Sequence, residues 1–203
     1  MHKIIHKVSL LLLACGAVAG CAAVSKVEPL SIPLAYKANP KNVGAMGSLS
    51  CAATLASVQV SDARTDKTLG KRTHESKPLK ADVTTGSDPA PWVRDGVQGL
   101  LAQNRVIFQG SGPTLLISLD TLRTTESIWH RSSYDAQVSL TGELRSPSGK
   151  TCWKGTGEGK GGNYGYSGSV ENYQETLNEA LDAATLQMTQ PQAFRDALCH
   201  CGD

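Results

Sequence analysis

Thr114-Leu115-Leu116-Ile117-Ser118-Leu119-Asp120-Thr121-Leu122-Arg123 is the stretch on which the fold turns. Leu115, Ile117, Leu119 and Thr121 alternate with Leu116, Ser118 and Asp120, the two-residue period of a strand with one buried face. Downstream, Ser133–Arg145 repeats the pattern, with Ala136, Val138, Leu140 and Gly142 set against Gln137, Ser139 and Thr141. Ser146-Pro147-Ser148-Gly149 carries turn chemistry, so this strand and Lys150–Gly157 are predicted to form an antiparallel hairpin. Upstream, a first strand is expected over about Cys51–Val60, placing Ala52, Thr54, Ala56, Val58 and Val60 on one face. The stretch between, Asp62 to Pro91, reads as a long polar loop.

Helical periodicity brackets these strands. Trp92, Val93, Val97, Leu100 and Leu101 form one apolar face of a helix from about Pro91 to Asn104. Tyr173, Leu177, Ala180, Leu181, Ala184 and Met188 form the stripe of a second helix, capped by Ser169 and ended by Pro191. A short helical turn through Phe194 and Leu198 follows. The order β-α-β-β-β-α predicts a two-layer α+β sandwich, with two helices packed on one face of a mostly antiparallel sheet. No internal repeat is present.

The chain begins as an exported one. A basic head containing Lys3 and Lys7 precedes an apolar run that ends in small residues at Gly20. That run is too short to span a bilayer, which takes about 20 apolar residues, and it has the layout of a cleavable signal peptide. Val18-Ala19-Gly20-Cys21 resembles the lipobox of bacterial lipoproteins, in which the cysteine thiol takes diacylglycerol and the peptide is cut just before it. Cys15 fits less well, because apolar sequence rather than a polar mature chain follows it. The organisation expected is therefore a cleaved leader over residues 1–20, a lipidated, proline-bearing extended tether over 21–48 and one domain over 49–203. Within the tether, Leu30, Ile32, Leu34 and Tyr36 occupy alternate positions and suit a sheet edge. Ala22 and Ala23 follow the lipidated cysteine, and the lack of an acidic residue there favours the outer membrane over the inner, with the domain facing the periplasm.

Composition narrows the function. Loss of Lys3 and Lys7 lowers Lys+Arg from 20 to 18, against 18 Asp+Glu, so the mature chain is near neutral and nothing favours nucleic acid as a partner. Aromatic residues make up 5%, too few for a broad sugar-stacking surface. Beyond Cys15 and Cys21, four cysteines remain: Cys51, Cys152, Cys199 and Cys201. An even number in an oxidising compartment suggests disulfides. Cys199 and Cys201 are too close for a comfortable mutual bond, so two bridges from Cys51 and Cys152 to that pair are expected, in either order. One bridge with two free thiols is the plain alternative.

Several of these residues resemble a known family. Val60-Ser61-Asp62-Ala63-Arg64-Thr65-Asp66-Lys67-Thr68-Leu69-Gly70 is similar to a segment of YajG-type bacterial lipoproteins. Gly99-Leu100-Leu101, Leu115–Leu119, Gly155–Gly159 and Glu171-Asn172-Tyr173 before Leu177–Leu181 agree in order, over roughly Leu30 to Leu198. The resemblance implies a periplasm-facing lipoprotein and supplies no catalytic residues. The four additional cysteines depart from the family pattern.

Candidate chemistry is sparse. Cys199-His200-Cys201 has soft metal-ligand types, but paired cysteines in metal sites are usually spaced further apart, and His74 and His130 lie in distant segments; no metal or cofactor is expected. Gly157-Glu158-Gly159-Lys160-Gly161-Gly162 has the letters of a phosphate loop in the wrong context, so Gly155–Gly168 reads as a mobile loop. Tyr164 and Tyr166 at its tip are candidate partner contacts; the plain alternative is solvent-exposed rings. Asp62, Arg64, Asp66 and Lys67 are a candidate partner surface, or a turn fixed by local pairs. No nucleophile constellation occurs. The expectation is a non-enzymatic envelope lipoprotein whose partners are the membrane, through covalent lipid, and another envelope protein. An accessory subunit of an envelope transport system is the second reading, by analogy of fold alone. A hydrolase is the third, and it lacks a site.

Overall fold

In the computed structural model, residues 26–201 are described. The expected signal peptide and the lipid-attachment residue Cys21 lie outside the described residues. The elements, in chain order, are β1 (Leu30–Ser31), a 3₁₀ turn (Pro40–Asn42), β2 (Thr54–Leu55), β3 (Ser57–Asp62), β4 (Gly70–His74) and β5 (Lys80–Thr84). Helix α1 (Pro89–Gln103) follows, then β6 (Ile107–Phe108), β7 (Thr114–Ile128), β8 (Ser132–Arg145), β9 (Thr151–Gly165), α2 (Val170–Thr189) and α3 (Gln192–His200). Seven strands form one mixed sheet in the order β1-β5-β4-β7-β8-β9, with β3 also paired to β7; β2 and β6 form a separate parallel pair. Helices pack on one face, and the architecture is the two-layer α+β sandwich expected from periodicity.

The long strand β7 organises the sheet. Along its whole length it pairs antiparallel with β8. On its other edge, β3 runs parallel to Thr114–Leu119 and β4 runs parallel to Thr124–Ile128. The register shifts between Leu119 and Thr121, and the buried phase shifts with it. Leu115, Ile117 and Leu119 point to the core before the shift; Leu122, Thr124, Glu126 and Ile128 do so after it. The expected alternation through Thr121 therefore ends at the bulge. A similar break divides the expected first strand. Ala53, Leu55 and Val58 are buried rather than Ala52, Thr54 and Ala56, because the Ala56 N–H turns to donate to Pro113 O at 2.8 Å. The supposed polar loop from Asp62 to Pro91 contains β4 and β5, an antiparallel pair whose only wholly apolar side chains are Ala81 and Val83.

Glycine explains the other departure. Gly155–Gly165 is not a mobile loop but the second half of β9. An added Cβ would lie 2.0 Å from Ala184 O at Gly157, 2.0 Å from Ala180 O at Gly159 and 2.1 Å from Thr176 O at Gly161. Alternate glycines on the strand thus meet residues four apart on α2, and the helix backbone rests directly on the strand. Side chains of α2 also cover this edge: Glu179 Oε2 accepts from Gly162 N at 3.0 Å and Gln187 Oε1 accepts from Glu158 N. Covering it removes a strand edge open to foreign pairing.

The amino-terminal segment is integrated into the domain from Val27 onward, where a tether was expected. Val27, Ile32 and Met46 are buried. β1 pairs parallel with β5, and the chain then crosses both long helices. Tyr36 donates its hydroxyl hydrogen to Asp182 at 2.8 Å, and Asn178 donates to Ala35 O at 3.2 Å. Asn104, which closes α1, accepts from Met46 N at 2.9 Å and donates to Asn42 O at 3.0 Å. Both expected bridges form, as Cys51–Cys199 and Cys152–Cys201, with sequence separations of 148 and 49. They tie β9 and the end of this amino-terminal strap (residues 27–51) to α3, whose Phe194 and Leu198 are buried.

Gly159→Ala should lower stability by about 1–3 kcal/mol, because α2 must lift from the strand. Gly162→Ala, on the open face with its nearest neighbour at 3.9 Å, should stay within about 0.5 kcal/mol. Urea midpoints of the two variants check the contrast. Replacing Cys199 and Cys201 by Ser should cost about 2–4 kcal/mol per bridge, read as a difference in midpoint that reductant abolishes.

Candidate functional site

The sequence candidates fall into three places. The first is the β3–β4 turn, where the chain leaves one half of β7 and rejoins the other. Asp62 accepts from Arg64 Nε at 2.8 Å, Nη2 at 3.0 Å and backbone N at 3.1 Å, and it pairs with Lys67 at 3.1 Å. The Arg64 guanidinium accordingly holds the Asp62 carboxyl far below the usual carboxylate range. Arg64 is buried, so it fixes the turn rather than meeting solvent. Asp66 accepts from the Thr68 backbone N–H at 2.9 Å and hydroxyl at 2.8 Å, a local turn bond that lowers its pKa. Asp62 and Arg64 therefore act inside the turn, while Asp66 and Lys67 remain exposed. A shallow depression of about 380 Å³ separates this turn from Asp120–Thr125.

The second place is the carboxyl-terminal tail. Both sulfurs of Cys199-His200-Cys201 are consumed in disulfides, so the segment offers no thiolate pair. His200 Nδ1 lies 2.7 Å from Asp196 O. Among the described residues, no group of three or more His, Cys, Asp or Glu side chains is placed to hold a metal ion.

The third place is one end of the sheet, and here the structure brings together residues that sequence spacing does not. His74 of β4 lies beside Ile128 of β7, Ile128 beside Ser132 of β8, and Ser132 beside Gly165 of β9. Beyond this row project the β7–β8 turn, Trp129-His130-Arg131, and the segment leaving β9. Trp129 is 54% exposed, Tyr164 76% and Tyr166 90%, three of the few large apolar side chains in solvent. Trp129 stacks edge-on against His130 with ring centroids 5.1 Å apart. A cleft of about 390 Å³ lies between the turn and Gly165–Ser167. Tyr164 and Tyr166 were candidates from sequence; Trp129 was not, although an aromatic in a tight turn between two long strands is a readable signal.

The end is rigid because a buried charge underlies it. Glu126, with no exposure, accepts from Arg72 Nε at 2.5 Å, Tyr173 OH at 2.9 Å and Gly168 N at 2.9 Å, and Tyr134 OH lies 3.3 Å from it. Burial alone would push its pKa up; the Arg72 guanidinium and the hydrogen bonds to its charged form outweigh this and leave it lowered. Arg72 also donates to Glu28 O at 2.8 Å and Ser167 Oγ at 3.1 Å, and Tyr134 OH donates to Tyr166 O. The backbone of 166–168 is thus held from below while the Tyr166 ring stands in water.

Together these features define a small disulfide-stapled α+β domain with an aromatic rim at one end of its sheet. No protein-family model matches the chain, and no curated protein matches it in sequence. Among solved structures, a Xanthomonas campestris protein of the DUF330 family is similar over 84% of this chain and 96% of its own, at 8% identity and a TM-score of 0.48.

Glu126→Gln should destabilise the domain by about 3–5 kcal/mol, since Arg72 is left buried without a counter-charge. The lowered pKa sets the sign of the pH effect. Glu126 contributes fully above the ordinary glutamate range of about 4.3, and its contribution drains as pH falls through the depressed folded-state value. The gap between wild-type and variant midpoints should be full at pH 7 and should narrow progressively as pH is lowered from about 4.

Proposed function

We propose that this chain is a lipid-anchored accessory protein of the bacterial envelope, of the YajG type, held at the outer membrane through Cys21 with its domain in the periplasm. The single observation that carries the reading is Val18-Ala19-Gly20-Cys21 at the end of a short apolar leader. The disulfides support it. Bridges of this kind persist in oxidising compartments, and they pair all four downstream cysteines with one another, as a lipidated Cys21 requires. Among the described residues no helix is long and apolar enough to cross a membrane, and covalent lipid supplies the attachment instead. Each buried methylene contributes about 0.8 kcal/mol, so several acyl chains together make release negligible. The domain acts by binding another envelope protein rather than by catalysis, and its exposed polar turn at Asp66 and Lys67 is available to that partner.

Cells given an alkyne fatty acid should yield tagged wild-type protein in the membrane fraction. Cys21→Ser should lose both the tag and the membrane association. An unmodified Cys21 sulfur in the purified mature protein, read by mass spectrometry, overturns the proposal.

A further inference from the structure

The two ends of the sheet are unequal. β1 runs parallel to β5 with Leu30 beside Val83, so Val27 falls at the level of Lys80, the first residue of β5. Val27 packs in a small cluster with Ala81 and Ile128, and Ile128 is the residue before Trp129. The amino-terminal chain therefore enters the domain at the end that carries Trp129, Tyr164 and Tyr166. Trp153, beside Leu144, lies at the opposite end.

Distance decides what this end faces. Val27 is six chain steps beyond Cys21. Fully extended they span about 20 Å, so a lipid on Cys21 keeps this end within that distance of the headgroups. Strands spaced about 4.8 Å apart make the row from His74 to Gly165 about 14 Å wide, within reach of the same surface. Trp and Tyr favour this interface, where the ring meets apolar matter and the N–H or O–H stays wet. The exposed Arg131 beside Trp129 adds a cation suited to phosphate headgroups. The Tyr166 ring stands on backbone pinned by Glu126 and Tyr134, so it loses little freedom on contact.

We propose that the β7–β8 turn and the end of β9 form a seat on the bilayer surface, with Trp129, Tyr164 and Tyr166 at headgroup depth. The proposal rests on lipidation of Cys21 and adds an orientation: this end of the sheet lies against the membrane, and the end with Trp153 and the disulfides points away. The full lipidated chain, reconstituted into phosphatidylethanolamine/phosphatidylglycerol vesicles with and without brominated acyl chains, tests it. Tryptophan emission should be strongly quenched by brominated lipid in wild type. Trp129→Phe should abolish most of that quenching, because Trp92 is buried and Trp153 is at the far end. Equal quenching in the two proteins overturns the proposal. Protection of Trp129 from aqueous iodide without quenching by brominated lipid also overturns it, and assigns the rim to a protein contact. Fatty-acid tagging of the same sample separates the two levels: tagged protein with unquenched Trp129 defeats the orientation alone, whereas untagged protein defeats the anchor and the orientation with it.

Discussion

A carboxylate with no exposure, Glu126, connects segments that are far apart in the chain. It reaches Arg72 on β4, Tyr134 on β8, Tyr173 on α2 and the amide of Gly168, and through Arg72 it reaches Glu28 and Ser167. A buried ion pair recovers its desolvation cost only when the remaining lone pairs and protons find partners. Here the partners come from three elements and the segment between β9 and α2, so the charge is satisfied only when sheet, helix and strap are all in place. That requirement makes the end of the sheet a defined object rather than a frayed one.

Most of the core was legible in the sequence because its residues repeat with the period of their element. Leu115, Ile117 and Leu119 marked β7, and Trp92 to Leu101 and Tyr173 to Met188 marked the helices. What stayed illegible lacked apolar contrast. β4 turns Arg72 inward, so its one buried side chain looked like a surface residue. The outer half of β9 buries glycines, which leave no hydrophobic alternation; the signal was their period of two beside Ala180 and Ala184 four apart on α2. In the strap, the alternation through Leu30 and Ile32 did mark the piece that pairs with β5, whereas Met46, alone among small and polar neighbours, gave no such signal.

The candidate site was legible only in part. Disulfide partners followed from geometry and parity, but their order needed the fold. Tyr164 and Tyr166 were visible as isolated aromatics, whereas their placement at the same end of the sheet as Trp129 depends on strand register that no linear spacing encodes. Glu126 had one readable clue: after the bulge it occupies an inward position between Leu122 and Ile128. An acidic residue in the buried phase of a strand implies a buried cation, and the sequence alone does not say which.

The strap and its bridge have a mechanical consequence. A load drawn along the amino-terminal chain would first peel β1 from β5, a pairing of two residues, and then strip the strap from the helices. Peeling would stop at Cys51, where the bond to Cys199 passes the tension to α3 and, through Cys201, to β9. The released run of about 24 residues stretches to roughly 80 Å. The domain thus holds a reel of spare chain behind a covalent stop, and tugging on its leash would lengthen its radius of action only by uncovering Ile32 and Met46 and by taking Glu28 O from Arg72.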